Sequence, residues 1–159
     1  MKSLSKCLVS AAAGSVLLLS NPSITFSADL AQHITVYVLR GEQSPKGPDG
    51  HGHDTIVPAN YALKVGEPVD LTIINYDEGP HTMTSETMGV DIQIAAGLEQ
   101  ADGSVKPVTT HVTITPKQKG TFRWHCLTPC DKGGHYWAMS NSYDGMGKDG
   151  YMAGYFVVM

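Results

Sequence analysis

Short runs of alternating or apolar residues, each of strand length and each closed by turn residues, set the limits on what this chain can become. They read HITVYVL (33–39), YALKV (61–65), VDLTIIN (69–75), VDIQIA (90–95), HVTITP (111–116), TFRWH (121–125) and YMAGYFVV (151–158). β-Branched and aromatic side chains fill them, and no segment sustains a helical period. An all-β antiparallel sandwich follows. Two Gly/Pro-rich stretches, GEQSPKGPDGHGHD (41–54) and SNSYDGMGKDG (140–150), read as long loops, and no internal repeat is evident. The second loop contains Gly145, Gly147 and Gly150 in dinucleotide-motif spacing, but it neither follows a clear strand nor opens a helix, which argues against nucleotide binding.

The N-terminus bears on where the chain works. Lys2 and Lys6 precede an apolar run from Leu8 to Leu19, and small residues follow at Thr25, Ser27 and Ala28. This is the pattern of a secretory signal peptide over residues 1–27, cleaved near Ser27 or Ala28. The apolar run is shorter than the roughly 20 residues a bilayer span needs, so the mature chain is expected to lack a stable membrane span. Cys7 would leave with the signal. The mature domain, 28–159, then carries two cysteines in an oxidising compartment, periplasmic or extracellular, where a disulfide is the default. Loss of Lys2 and Lys6, with no acid lost, takes the formal net charge from −4 to about −6. That balance disfavours nucleic acid and anionic membranes as partners.

HCLTPCDKGGHYWAM (125–139) concentrates Cys126, Cys130, His135 and Met139. Soft thiolates select copper(I), zinc or iron–sulfur clusters, imidazole suits copper and zinc, and a thioether is tolerated mainly by copper. The set therefore leans to copper. Zinc would leave Met139 without a role, and two cysteines are too few for an ordinary iron–sulfur cluster. A disulfide between Cys126 and Cys130 would close a very small loop and add little through chain entropy.

His81, in NYDEGPHTMTSE, follows the turn after run 69–75 and opens the next short strand. The cysteine cluster begins where run 121–125 ends. If these strands are neighbours, His81 and Cys126 meet at one pole of the sandwich. His125 precedes Cys126 on a strand, so alternation should turn it to the opposite face. His51 and His53 read as solvated loop residues, with loose binding of a second ion as the lesser alternative. His33 and His111 read as strand residues, Met83, Met88 and Met146 as packing or loop residues, and Trp124 and Trp137 as core and rim aromatics.

Taken together, HTMTSETMGVDIQIAAG, HVTITPKQKGTFRWHC, the Cys/His/Met loop and GYMAGYFVV resemble the cupredoxin family, over about residues 33–159. The Gly120, Phe122, Trp124, Cys126 approach is part of that resemblance. It implies a cupredoxin-like Greek-key β-sandwich with one histidine from an early loop and the other metal ligands from a late loop, here His81 with Cys126, Cys130, His135 and Met139. Two site types compete. The dinuclear CuA centre of cytochrome oxidase subunit II and nitrous oxide reductase uses Cys-x3-Cys-x3-His-x2-Met, whereas this chain has Cys126-x3-Cys130-x4-His135-x3-Met139. A mononuclear type 1 site uses Cys-x4-His-x3-Met, which Cys130, His135 and Met139 satisfy, although Cys126 occupies the usual cysteine position at the strand end. Met152, in GYMAG, competes with the preferred Met139 as axial ligand.

The resemblance implies one or two copper ions, electron transfer rather than catalysis, and a redox partner such as a cytochrome or terminal oxidase. The reading is CuA-like before mononuclear. A periplasmic copper carrier or chaperone, and a metal-free β-sandwich binding module stapled by Cys126 and Cys130, are the alternatives from other classes.

Overall fold

A computed structural model of the chain describes residues 31–44, 46, 50–128 and 152–159. The expected signal peptide lies outside them, and so does the 140–150 loop. No helix among the described residues is long and apolar enough to cross a membrane.

The strands in chain order are β1 (Gln32–Leu39), β2 (Thr55–Val57), β3 (Asn60–Leu63), β4 (Val69–Asn75), β5 (His81–Ser85), β6 (Val90–Ile94), β7 (Leu98–Glu99), β8 (Val105–Lys106), β9 (Val108–Ile114), β10 (Gly120–His125) and β11 (Ala153–Val158). They form a four-stranded sheet in the order β2-β1-β4-β9, a five-stranded sheet in the order β3-β11-β10-β5-β6, and a β7-β8 hairpin. This is a cupredoxin-like Greek-key sandwich. Two pairs depart from the expected antiparallel pattern: β1 runs parallel to β4, and β3 parallel to β11. The chain leaves for the other sheet between the members of each pair, and such a long return path permits parallel pairing that a tight hairpin forbids.

Alternation decides what the sandwich buries. β4 buries Val69, Leu71, Ile73 and Asn75 and leaves the residues between them half-exposed. Phe122 and Trp124 of β10 face the same core, and Cys126, next in that alternation, continues their row into the fully buried interior. Full burial of a large apolar side chain stabilises by about 1.5–3 kcal/mol, so the Trp124, Phe156 and Tyr61 cluster, with ring centroids 5.4–6.5 Å apart, anchors the five-stranded sheet.

The described residues of the 41–54 stretch are more ordered than its composition suggests. A 3-10 turn at Gly41–Gln43 and a bridge between Lys46 and Gly52 fold it back on itself. Any Cβ on Gly41 would lie 2.7 Å from the Gly52 carbonyl oxygen, so the close approach requires glycine. The return delivers His53 and Asp54 to the interior, at 2% and 7% exposure. His53 is therefore not the solvated residue expected from the sequence, whereas His51 is exposed.

Candidate metal centre

On the side away from β11, β10 pairs with β5, the strand that His81 opens, through His125–Thr84. β4, the strand before the His81 turn, belongs to the other sheet, so the turn itself carries the chain across. His81 and Cys126 consequently share one pole. The backbone N–H of Thr82, immediately after His81, donates to Cys126 Sγ at 3.2 Å. The N–H of Leu127 donates to Thr82 Oγ1 at 2.8 Å, which fastens the end of β10 to β5. Cys126 and His81 are 0% and 1% exposed.

The turn from Asn75 to Gly79 aims the histidine. Asn75 Oδ1 accepts from the Asp77 N–H at 2.8 Å, while Asn75 Nδ2 donates to the carbonyls of Gly79 and Ala95. Asp77 Oδ2 in turn accepts from the Gly79 N–H at 3.0 Å and from His81 Nε2 at 2.8 Å. With Nε2 committed to Asp77, Nδ1 is the nitrogen left for a metal. It is buried and has no hydrogen-bond partner among the described residues.

Burial pulls the His81 pKa down. The hydrogen bond to Asp77 and the nearby Cys126 outweigh that and push it up to about 9. For Asp77, burial acts upward, but the hydrogen bond from His81, with those involving Glu78 and Gly79, holds the carboxyl below its ordinary range. The pair therefore rests as imidazolium and carboxylate when no metal is present.

Asp54, Asp77 and His81 form a buried cluster whose ligand atoms all lie within 4.8 Å of one another, a set capable of coordinating a metal ion. Asp54 Oδ1 accepts from the Gly41 N–H at 2.9 Å. His81 thus stands between Asp77, on its Nε2, and a softer donor set that Nδ1 and the nearby Cys126 thiol would supply.

Of the residues expected at the site, His81 and Cys126 are brought together, while Cys130, His135 and Met139 lie outside the described residues. Met152 is 2% exposed, and its carbonyl accepts from the Cys126 N–H at 2.9 Å. Met83 and Trp124 are core residues as expected, and His33 and His111 sit on exposed strand positions. His125 is half-buried, out of step with the buried Trp124 and Cys126 on either side. Asp77 and Asp54 were missed. The signal for Asp77 was the turn-forming NYDEG immediately before His81; nothing in the sequence near Asp54 points to this site.

No protein-family model and no curated protein sequence matches the chain. Among solved structures, the chain is similar to the metal-binding domain of a Cu(I)-exporting P-type ATPase from Streptococcus pneumoniae, with 14% identity, coverage of 83% of this chain and 89% of that one, and a TM-score of 0.45. A purple cupredoxin from Nitrosopumilus maritimus gives 18% identity, 79% and 98% coverage, and a TM-score of 0.38. A copper nitrite reductase from Nitrosomonas europaea gives 17% identity and a TM-score of 0.47, over 80% of this chain and 41% of that one.

Proposed function

We propose that the chain is an exported copper protein that carries electrons and is not an enzyme. The observation that carries this reading is His81: its Nε2 is fixed by Asp77 and its buried Nδ1 is left without a hydrogen-bond partner, at a pole where Cys126 supplies a thiol. An orphaned buried ring nitrogen costs free energy unless a ligand takes it up. Imidazole and thiolate together suit copper. The carboxylate on the far nitrogen is the usual partner of a metal-binding histidine, since it fixes the tautomer and ring orientation.

Bound copper would supply a one-electron couple. The chain's part is to hold its donors still: His81 is pinned through Asp77, Cys126 by its place in the β10 row and by the Thr82 N–H, and the sheet pairing of β5 with β10 sets their separation. A donor set that does not move between oxidation states lowers the reorganisation an electron carrier must undergo. His135, Cys130 and Met139, from the segment between β10 and β11, are proposed to complete the set, and with His81 and Cys126 they would hold one or two copper ions. A cytochrome or terminal oxidase in the same exported compartment is the proposed class of redox partner.

A mononuclear site is the second reading, favoured by Met152. That residue is buried, directly precedes β11 and is hydrogen-bonded through its backbone to Cys126, which suits it to be the axial donor of a site in which Cys126 is the sole thiolate. The test is copper per chain on the mature protein, with visible and electron paramagnetic resonance spectra. Two coppers with a mixed-valence multiline signal support the dinuclear carrier, and one copper with an intense thiolate-to-copper band supports the mononuclear one. Failure to retain copper overturns both.

A further inference from the structure

We propose that Asp77 is a positioning residue that sets the oxidation-state preference of the metal held by His81, favouring copper(II) over copper(I). This rests on the copper reading above and goes beyond it by assigning the reduction potential to a residue that binds no metal. Asp77 Oδ2 takes the His81 Nε2–H at 2.8 Å, and both side chains are buried, His81 at 1% and Asp77 at 5% exposure. A charge that close to a ligand ring acts through little water, so its field on the metal is weakly screened. It makes the imidazole a stronger donor. The ion with the extra positive charge gains more from both effects.

The carboxylate is held where it must be. The Gly79 N–H donates to the same oxygen at 3.0 Å, and Asp77's own backbone is tied at both ends, its N–H to Asn75 Oδ1 at 2.8 Å and its carbonyl to the Gly97 N–H at 2.8 Å. Arg40 offsets its charge only in part. The guanidinium reaches Glu78 at 2.9 Å but Asp77 at 4.0 Å. Asp54 adds a second buried carboxylate within 4.8 Å. The Thr82 N–H withdraws charge from the Cys126 sulfur and works in the other direction. The resting potential is the balance of the two.

The experiment compares Asp77→Asn with the wild type, because an asparagine carbonyl still accepts from Nε2–H while the charge is gone. Copper(I) and copper(II) affinities are measured separately by competition with chelators, together with the midpoint potential. Copper(II) binding is expected to weaken about tenfold more than copper(I) binding, which for a one-electron couple is a rise of about 59 mV. Equal weakening of both ions, or no change in potential, would make Asp77 merely structural and overturn the proposal. If Asp77→Asn does not fold, Asp77→Ser decides: it also removes the charge and leaves a smaller hydroxyl in the turn. A rise in potential there supports the proposal and an unchanged potential overturns it. A wild-type protein that takes up no copper removes the copper reading and this inference with it, whereas a normal copper spectrum with a potential indifferent to Asp77 removes this inference alone.

Discussion

The N–H of Thr82 points at the sulfur of Cys126 from 3.2 Å, while the hydroxyl of the same threonine accepts the N–H of Leu127 at 2.8 Å. One residue beside His81 therefore both contacts the thiol and closes the end of the strand that carries it. These two functions separate on mutation.

Thr82→Ala keeps the backbone donor to Cys126 but leaves the Leu127 N–H without its acceptor, while the Thr84 hydroxyl still donates to Asp91 Oδ1 at 2.9 Å. Urea unfolding of the metal-free protein should show a loss of about 1 kcal/mol, with the position of any copper–thiolate band unchanged. A shifted band with unaltered stability would contradict this division of roles.

Gly154 on β11 has no room for a side chain. A Cβ there would run into the carbonyl of Ala59 and lie 2.9 Å from Cζ2 of Trp124, whose Nε1–H already donates to that carbonyl at 3.0 Å. Gly154→Ala should destabilise by about 1–3 kcal/mol or more, and the fluorescence of Trp124 should move with it. Wild-type stability in this variant would mean that β3 and β11 are not packed as described.

The metal-free protein should lose stability on both sides of a defined pH window. The His81 pKa is raised from 6.5 to about 9, so its contribution is fully present below about pH 6.5 and is lost as pH rises through about 9. The Asp77 pKa is lowered from 3.8, so its contribution is present above that value and is lost as pH falls through the native one. Both describe one ion pair and are counted once. Urea midpoints followed across pH, as the difference between wild type and His81→Gln, should be largest between pH 3.8 and 6.5, decline as pH rises from there and be lost beyond about pH 9. A difference that grows with pH would show that His81 is neutral in the native protein.

Cys126→Ser and Cys130→Ser discriminate the two copper readings. In a dinuclear site each abolishes the mixed-valence signal, because each removes a bridge. In a mononuclear site built on Cys126, only Cys126→Ser abolishes the thiolate-to-copper band, and Cys130→Ser leaves it in place.

Much of the framework was legible in local pattern, because a strand buried on one face must alternate. VDLTIIN reads as a strand over 69–75, and β4 occupies those residues. The same period of two put Phe122, Trp124 and Cys126 on the core face and His125 out of step with them. Other limits moved where pairing partners outvoted local composition: the run expected at 111–116 became β9 at Val108–Ile114, because Val108 pairs with Asn75 at the far end of β4. The three-residue β2 and the two-residue strands β7 and β8 are too short to carry a period, and they exist through their partners.

The donor chemistry of His81 and Cys126 was written in residue type and position, since thiol and imidazole are the same groups wherever the chain puts them. Their environment was not. That Asp77 takes the far nitrogen of His81 depends on a turn knitted by Asn75, Gly79 and Ala95, and that Asp54 and His53 are buried depends on Gly41 and Gly52 letting two backbones touch. No periodicity reports such contacts, because they join residues through space at distances set by the turn and by the packing of two sheets. The sequence by itself determined which ligands are on offer and which face of the strand presents them; only the tertiary structure decided which charges stand behind them.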